Sequence, residues 1–316
     1  MSGMIQQASD TNGLRVTVVT PSYNQAQFLE RTLQSVLTQN YPNLEYIVLD
    51  GGSSDRSSDI IHALSERLDY WAIAPDGGQS AAISAGWMRS NGDVLCWLNS
   101  DDVLLPGALH AVAQLFAANP SAVMLFGAIA IIDAEDRKLA IKQPQPVNAR
   151  SLLPWGRVPG QPAVFIRREV FTRLGGPRSD LHYVMDWELW LRIALAYPES
   201  RILHTDTVLA GSREWDATKT NTAEGRDAAE VRRVLAEVFA RADLPAELRA
   251  LEQVAYARTW WRQSRQEARA HRRGAAFTSL AKALRFAPSS FGVAAVLKQT
   301  RRILIGERHS RANAIG

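Results

Sequence analysis

Residues 94–102 read Val94-Leu95-Cys96-Trp97-Leu98-Asn99-Ser100-Asp101-Asp102, an apolar run followed by two adjacent carboxylates. The run predicts a buried strand, so the polar residues lie at its carboxyl end, where open α/β sheets place their ligand sites. Carboxylates at such an edge suit a hard divalent cation that holds a diphosphate. The stretch therefore predicts an α/β fold with a metal and a nucleotide at one edge of the sheet.

The residues before this stretch alternate between strand and helix patterns. Residues 16–20 are β-branched and end at Pro21, which has no N–H to extend a ladder, so we predict that the first strand stops there. The alternation is typical of a parallel sheet covered by helices. Further strands are predicted over residues 44–49, 70–74 and 94–98, and helices over residues 26–39, 57–68 and 79–89.

A second stretch, Met185-Asp186-Trp187-Glu188-Leu189-Trp190, places an acid at the start of an apolar-faced helix. Asp186 is the predicted general base, with Glu188 as its substitute and as an acceptor contact. The alternative role of Asp186 is to cap the helix. Trp187 can stack on the face of an acceptor sugar, whereas Trp190 falls at core spacing and is expected to be packed. Together the two stretches indicate group transfer from a nucleotide-activated donor.

The composition is that of a globular protein with room for one large domain and an appendage: 316 residues, 46% apolar and 22% charged. The longest nearly apolar run, residues 122–132, is too short to cross a bilayer, which takes about 20 residues. Cys96 is the only cysteine, which excludes a disulfide framework and fits a reducing compartment. Because residues 1–12 lack the pattern of a secretory signal, we expect a cytoplasmic protein.

The net charge of +4 hides an asymmetry between two parts of the chain. Residues 255–316 carry 13 Lys and Arg against Glu267 and Glu307, so the rest of the chain is net acidic. A basic tail is compatible with nucleic acid, with an anionic membrane surface or with solubility alone. Its aromatic and aliphatic residues are interleaved with cations, as in interfacial helices. We predict contact with the inner face of the cell membrane; the alternative is a helical appendage packed on the main domain or a partner.

Four motifs, in this order and spacing, resemble the family 2 glycosyltransferases of the GT-A fold. They are Val18-Val19-Thr20-Pro21-Ser22-Tyr23-Asn24, Asp50-Gly51-Gly52-Ser53-Ser54-Asp55, Asn99-Ser100-Asp101-Asp102 and Met185-Asp186-Trp187-Glu188-Leu189-Trp190-Leu191-Arg192. The resemblance implies a nucleotide-sugar donor, a divalent metal and inversion at the anomeric carbon. It further implies that the acceptor is a hydroxyl of a glycan or lipid-linked glycan, in cell-surface polysaccharide synthesis.

The first two motifs are where the resemblance implies contacts to the nucleotide. Thr20, Pro21 and Tyr23 leave the first strand at the carboxyl edge, where a hydroxyl and a ring can hold base and ribose. In the family the second motif usually offers two adjacent acids to the base and ribose, but here Asp50 is followed by Gly51. The missing carboxylate leaves the identity of the donor base open.

The remaining implied donor contacts lie in later loops. Asp76 and Gln79 flank the start of a predicted helix whose free N–H groups suit a phosphate or the donor sugar, with a plain capped turn as the alternative. Arg213 falls where relatives place a segment that closes over the donor, so we predict that it contacts a phosphate. Asp102 is implied as the principal ligand of Mg²⁺ or Mn²⁺, with Asp101 assisting through ribose or water.

We therefore predict a Rossmann-like, mostly parallel GT-A domain over residues 15–222, followed by a basic α-helical extension over residues 223–316. Within the domain, residues 15–103 form the nucleotide-sugar half and residues 104–222 the acceptor half. Residues 1–14 are expected to be disordered. Later helices are predicted over residues 106–118, 168–174, 229–240, 245–273 and 274–286, and later strands over residues 122–132 and 163–166.

Two other classes of function stay open. A metal-dependent sugar nucleotidyltransferase normally has a Gly-rich loop bearing Arg and Lys after the first strand, and residues 21–24 do not form one. A nucleic-acid binder would use the basic tail, with Trp260 and Trp261 stacking on bases, but would leave the carboxylates of the first 220 residues unexplained. We therefore expect no nucleic-acid partner, and nothing in the sequence indicates an oligomeric state.

Overall fold

The structure, a computed structural model, describes residues 13–156, 158–215 and 226–305. The described chain divides into two units. The first comprises residues 13–148, 158–181 and 188–215, and the second comprises residues 149–156, 182–187 and 226–305. The predicted disordered segment lies almost entirely outside the described residues, as does the predicted boundary at residues 222 and 223.

The strands of the described chain form one sheet, which belongs to the first unit. They are β1 (Val16–Ser22), β2 (Leu44–Asp50), β3 (Tyr70–Ile73), β4 (Val94–Trp97), β5 (Val103–Leu104), β6 (Met124–Ile132), β7 (Lys138–Lys142), β8 (Val164–Arg167) and β9 (Ile202–Arg213). Their order is β3-β2-β1-β4-β8-β6-β9-β5, with β7 paired to β6. The strands β1 to β4 pair in parallel, whereas β8 runs antiparallel to both β4 and β6. The predicted α/β fold is confirmed.

The helices follow the predicted order. They are α1 (Ala26–Leu37), α2 (Ser57–Leu64), α3 (Gln79–Arg89), α4 (Ala108–Ala118), α5 (Ala149–Leu152), α6 (Arg168–Leu174), α7 (Met185–Ala196), α8 (Arg226–Phe239), α9 (Ala246–Arg249), α10 (Glu252–Arg269), α11 (Arg273–Phe286) and α12 (Val293–Ile305). The prediction of a single helix over residues 245–273 is wrong, because the helical structure is interrupted after α9 and again after α10. At the second break His271 takes a left-handed φ of 57°, a conformation that ends helices.

The prediction that Pro21 ends the first strand is also wrong. β1 continues to Ser22, and Pro21 pairs with Leu49 of β2. The pairing of β1 with β4 stops at Val19, whose carbonyl accepts the N–H of Leu98. Along a parallel strand, successive residues direct their backbone groups to opposite neighbours, so the missing N–H of Pro21 faces the side where pairing has ended. Proline therefore removes no ladder bond here.

Helix α3 packs closely on β1, and this packing fixes where the first turn of α3 lies. A Cβ atom at Gly86 would lie 2.7 Å from the side chain of Val19, so only glycine allows this approach. The next residue, Trp87, is fully buried and packs edge-on against Trp97 of β4. These contacts place Gln79, the first residue of α3, at the carboxyl edge of the sheet.

In the second unit, α8, α10, α11 and α12 pack through polar as well as apolar side chains. The Ser264 hydroxyl donates to the carbonyl of Ala276 at 2.8 Å, and the Ser279 hydroxyl donates to the carboxylate of Glu267 at 2.7 Å. Gln299 of α12 donates to the Ser264 hydroxyl at 3.0 Å. Among the helices that the structure describes, none has the length and apolar character needed to cross a membrane.

Candidate active site

The loops that follow β1, β2 and β3 meet at Gly51. A Cβ atom at this position would lie 3.3 Å from a carboxylate oxygen of Asp76 and 3.4 Å from the ring of Tyr23. The Tyr23 ring is 63% exposed, so its face is open to a ligand. The predicted contacts Tyr23, Gly51 and Asp76 are therefore brought together, and the absence of a side chain at Gly51 is what lets Asp76 and Tyr23 converge.

The carboxylate of Asp50 is fully buried and holds the turn that follows it. Its Oδ1 atom accepts the backbone N–H groups of Gly52 at 3.1 Å and Ser53 at 2.7 Å, and its Oδ2 atom accepts the Ser53 hydroxyl at 2.7 Å. Both oxygens thus have partners within the protein. Asp50 shapes the loop under Gly51, and a base contact through its carboxylate stays a prediction.

The Thr20 side chain does not reach the ligand side of this edge. It is fully buried, and its hydroxyl lies 2.9 Å from the Tyr46 hydroxyl. Pro21 is also buried, within β1. The physical reason is the extension of β1 to Ser22, which keeps both residues inside the sheet and leaves Tyr23 as the first exposed residue of the motif.

A chain of side-chain amides links α3 to the loop after β4. Gln79 Nε2 donates to Asn99 Oδ1 at 2.7 Å, and Asn99 Nδ2 donates to Gln161 Oε1 at 3.0 Å. Gln161 Nε2 in turn donates to the Trp97 carbonyl at 2.8 Å. Sequence reasoning missed Gln161, which lies 62 residues from its partner Asn99 and belongs to no motif. The chain of amides orients Asn99 beside the carboxylate pair.

The adjacent carboxylates Asp101 and Asp102 lie in a poorly solvated loop. Asp102 is 5% exposed, and its Oδ1 atom accepts the backbone N–H of Arg213 at 2.9 Å. Asp101 Oδ2 accepts the indole N–H of Trp215 at 3.2 Å. Burial, followed by repulsion from Asp101, raises the pKa of Asp102 well above its usual range, and burial also raises the pKa of Asp101. The pair is therefore an environment that a cation would stabilise.

Asp101 and Asp102 fit a magnesium or manganese ion by the chemistry of their donor atoms. Such ions bind through one or two carboxylates, complete their shell with water, and take further oxygens from substrate phosphates. The described residues contain no group of three or more His, Cys, Asp or Glu side chains arranged as an all-protein cage.

The burial of the Arg213 side chain disfavours its predicted contact with a phosphate. The guanidinium donates to the carbonyls of Asp101 and Asp133, each at 2.7 Å, and forms an ion pair with Asp136 at 2.5 Å. It also lies over the ring of Phe28. The physical reason is that β9 extends to Arg213 and pairs with β6 there, which places the residue inside the sheet. Arg213 instead ties the carboxylate loop to the turn between β6 and β7.

The predicted base, Asp186, is half-buried in the first turn of α7. Its Oδ1 atom accepts the backbone N–H of the next residue, Trp187, at 2.7 Å. This is not the N-cap pattern, in which the side chain accepts an N–H two or three residues on. The predicted acceptor contact Trp187 is buried, and its indole N–H donates to the Leu152 carbonyl at 3.0 Å. Its ring therefore has no exposed face on which an acceptor sugar could stack.

Glu188 and Trp190 also have partners within the protein. Glu188 is 6% exposed and forms a two-bond ion pair with Arg192, at 2.7 and 2.9 Å. This pairing disfavours Glu188 as an acceptor contact or substitute base, because its carboxylate is already neutralised. Trp190 stacks on Trp97 with ring centroids 5.4 Å apart, as expected of a core residue.

Sequence comparison decides the family. The model of glycosyl transferase family 2 matches residues 17–175, which is half of the chain. An uncharacterised glycosyltransferase of Mycobacterium tuberculosis is 31% identical over 189 residues, covering 58% of this chain and 71% of the relative. The chain belongs to glycosyl transferase family 2. An uncharacterised glycosyltransferase of Rickettsia typhi is 26% identical over 215 residues. The match spans 66% of this chain and 66%, just under two thirds, of that relative.

Two solved structures of other proteins share the fold. TarS of S. aureus, residues 1–349 in complex with UDP-GlcNAc, superposes with a TM-score of 0.61 at 15% identity, covering 92% of this chain and 90% of that one. The mannosyltransferase PcManGT from Pyrobaculum calidifontis, in complex with GDP-Man and Mn²⁺, superposes at 0.58 with 19% identity, covering 90% and 78%. The fold is therefore GT-A. The covered share exceeds what residues 15–222 can supply, so part of the helical extension also has a structural counterpart.

Proposed function

We propose that this family 2 protein is an inverting glycosyltransferase that moves a sugar from a nucleotide-sugar donor to a hydroxyl of a glycan or lipid-linked glycan acceptor. The observation that carries the proposal is at the carboxyl edge of the parallel strands, where the exposed Tyr23 ring and Asp76 converge on Gly51 and the carboxylate pair Asp101–Asp102 follows β4. A ring for the base and carboxylates for a metal-bound diphosphate are what a nucleotide sugar requires.

The nucleotide-sugar donor is supported by the structural neighbours. TarS is in complex with UDP-GlcNAc and PcManGT with GDP-Man, so proteins with this fold accept either base. At Gly51 the protein has no acid, and the carboxylate of Asp76 occupies the neighbouring space. We propose that Asp76 and Tyr23 hold the base and ribose, with Gln79 and Asn99 on the side of the donor sugar.

We propose that Asp102, assisted by Asp101, holds Mg²⁺ or Mn²⁺ in this family member. The ion, when bound, supplies positive charge that stabilises the departing nucleoside diphosphate. PcManGT, which has the same fold, is in complex with Mn²⁺. The backbone N–H of Arg213 and the amide of Asn99 hold the Asp102 carboxylate in a fixed orientation, so little reorganisation is needed when a cation and diphosphate bind.

Asp186 is the proposed general base. In a single displacement its carboxylate takes the proton of the acceptor hydroxyl while the new glycosidic bond forms and the bond to the diphosphate breaks, which inverts the anomeric carbon. The alternative of a sugar nucleotidyltransferase predicts pyrophosphate as product instead of a nucleoside diphosphate. The two functions therefore differ in a product that can be measured directly.

The proposal is tested by incubating the purified protein with nucleotide sugars, Mn²⁺ and candidate acceptors, and following the anomeric proton by NMR. We expect a nucleoside diphosphate and a product whose anomeric configuration is opposite to that of the donor. Retention of configuration would contradict the single displacement, and release of pyrophosphate from sugar phosphate and nucleoside triphosphate would favour the nucleotidyltransferase.

We further propose that α12 holds the protein on an anionic membrane, where lipid-linked acceptors lie. Val293, Leu297 and Leu304 are exposed, and at 100° per residue they fall within about 40° of one another on the helix. Arg301 lies about 40° and Lys298 about 100° further round the helix from this row, and both are exposed. Residues 273–305 contain six Lys and Arg and no acid. An apolar row flanked by cations fits the interface of an anionic bilayer better than it fits water.

A further inference from the structure

One carboxylate of α8 binds three successive backbone amides immediately before α7. Glu230 Oε1 accepts the N–H of His182 at 2.8 Å, while Oε2 accepts the N–H groups of Tyr183 at 2.7 Å and Val184 at 3.3 Å. These amides lie before the first residue of α7 and outside the sheet, so they must find acceptors elsewhere. Here a single side chain, 46 to 48 residues away in the sequence, satisfies all three of them.

The segment of residues 182–187 is held at both ends by other parts of the second unit. At its start the guanidinium of Arg226 lies over the Tyr183 ring, 5.1 Å from the centroid. At its end the buried Trp187 donates its indole N–H to the Leu152 carbonyl at 3.0 Å. Asp186 lies between these two points, so the direction of its carboxylate depends on how the segment is fixed.

We propose that Glu230 is a positioning residue that fixes the backbone before Asp186 and so orients the proposed base. The inference rests on the proposed function of Asp186 and gives the helical extension a part in the transfer. A carboxylate suits this position because both of its oxygens accept and neither donates, which matches three N–H groups converging on one side chain. Bonds to an ionised acceptor are also about twice as strong as neutral ones.

The expected size of the effect follows from geometry. Displacing a reacting group by about 1 Å can cost about 10²-fold in rate. In Glu230→Gln one of the two acceptor oxygens becomes an NH₂ group that faces a backbone N–H, so at least one bond is lost. We expect kcat to fall by about 10-fold to 100-fold, while the stabilisation of the protein by nucleotide sugar and Mn²⁺ stays as in wild type, because the donor residues belong to the first unit.

The matched control is Glu237→Gln, which removes the same charge from an exposed glutamate two turns further along α8. We expect wild-type kcat for this variant. Glu230→Asp keeps both acceptor oxygens on a shorter side chain, and it should recover part of the activity that Glu230→Gln loses. Hydrogen exchange gives a readout that is independent of transfer: the amides of His182, Tyr183 and Val184 should exchange faster in Glu230→Gln and not in Glu237→Gln.

A double variant separates positioning from a general structural role. If Glu230 acts through Asp186, adding Glu230→Gln to Asp186→Asn should lower the residual kcat by less than about twofold, because the group being positioned is already disabled. An equal loss in both backgrounds would overturn the proposal, as would wild-type kcat in Glu230→Gln. If Asp186→Asn alone transfers sugar at the wild-type rate, the failure lies in the proposed function of Asp186 instead.

Discussion

The donor edge of the first unit and the segment of residues 182–187 in the second unit are built in opposite ways. Around Gly51, two carboxylates of the donor edge bind amides of their own loops: Asp50 those two and three residues on, and Asp76 the one two residues on. The segment before α7 is instead held by Glu230, 46 to 48 residues away. The loops around Gly51 are therefore set by local sequence, whereas the position of the proposed base depends on a distant helix.

The largest effect is expected at the donor edge. Asp102→Asn removes the principal carboxylate proposed to hold the metal, so transfer should fall to near background in a sugar-transfer assay with saturating Mn²⁺. The fold should survive, because an amide oxygen can still accept the N–H of Arg213. Full activity of this variant in excess chelator would refute a metal-dependent donor site.

The next effect concerns the second unit. Asp186→Asn keeps the size of the side chain and the oxygen that accepts the Trp187 N–H but cannot take a proton, so kcat should fall by roughly 10² to 10⁴ fold, the range for lost general-base catalysis. The donor edge is untouched, so the concentration of nucleotide sugar that half-saturates thermal stabilisation should not change. If Asp186→Asn is active and Glu188→Gln is dead, the two roles are assigned the wrong way round.

Membrane binding is expected to depend on cations of the second unit and not on exposed cations of the first unit. Lys298→Gln combined with Arg301→Gln removes about 1 kcal/mol of attraction per cation, so binding to anionic vesicles should weaken about 30-fold in co-sedimentation at low salt. The control, Arg56→Gln with Lys138→Gln, removes the same charge from exposed positions of the first unit and should bind as wild type. Equal partitioning of the two double variants would leave α12 as a packing element.

Gly51→Ala adds one methyl group at the donor edge and should weaken donor binding. The added methyl group would lie 3.3 Å from the Asp76 carboxylate and 3.4 Å from the Tyr23 ring, so both must move apart by a few tenths of an ångström. We expect about tenfold weaker donor binding by calorimetry, which is about 1.4 kcal/mol. Gly274→Ala in the second unit, where a Cβ meets no atom within 4 Å, is the control and should leave donor binding unchanged.

The smallest effect concerns pH and the metal-free protein. Burial and Asp101 raise the pKa of Asp102 in the folded state, whereas the unfolded chain has an ordinary value near 4. The folded state therefore holds its proton over a range where the unfolded state has lost it, and the free energy of unfolding should fall as pH rises from about 4 to the raised pKa. Asp102→Asn should flatten this part of the stability curve in urea titrations without metal. If the pH dependence is the same in Asp102→Asn and wild type, ionisation of the buried Asp102 carboxylate does not lower the free energy of unfolding.

The sequence predicts the donor half well because its signals are local. Apolar runs followed by Gly, Asp and Ser mark each strand and its loop, and the parallel pairing of β1 to β4 follows from their alternation with helices. The convergence of Tyr23 and Asp76 on Gly51 is then a consequence of strand order. The extension of β1 past Pro21 could not be seen, because it depends on which neighbouring strand has already ended.

The remaining contacts are long-range and carry no motif. Gln161 reaches Asn99 across 62 residues, and Glu230 is one of two glutamates on a helix whose sequence shows only an amphipathic pattern. Arg213 matched the expected position for a phosphate ligand, yet it is buried because β9 continues through it. The break between α9 and α10 contains no Gly or Pro to announce it. All four features, the contacts of Gln161 and Glu230, the burial of Arg213 and the break after α9, depend on tertiary packing that the neighbouring sequence does not reveal.

The most direct test of the donor site is the thermal stability of wild type and Asp102→Asn with UDP-sugars and GDP-sugars, each measured with and without Mn²⁺. A ligand that binds only the folded protein raises Tm by mass action. We predict that at least one nucleotide sugar raises the Tm of the wild type only when Mn²⁺ is present, and that Asp102→Asn loses this rise. Stabilisation that is equal with and without Mn²⁺, or equal in the two proteins, would contradict a metal-held nucleotide sugar at Asp101 and Asp102.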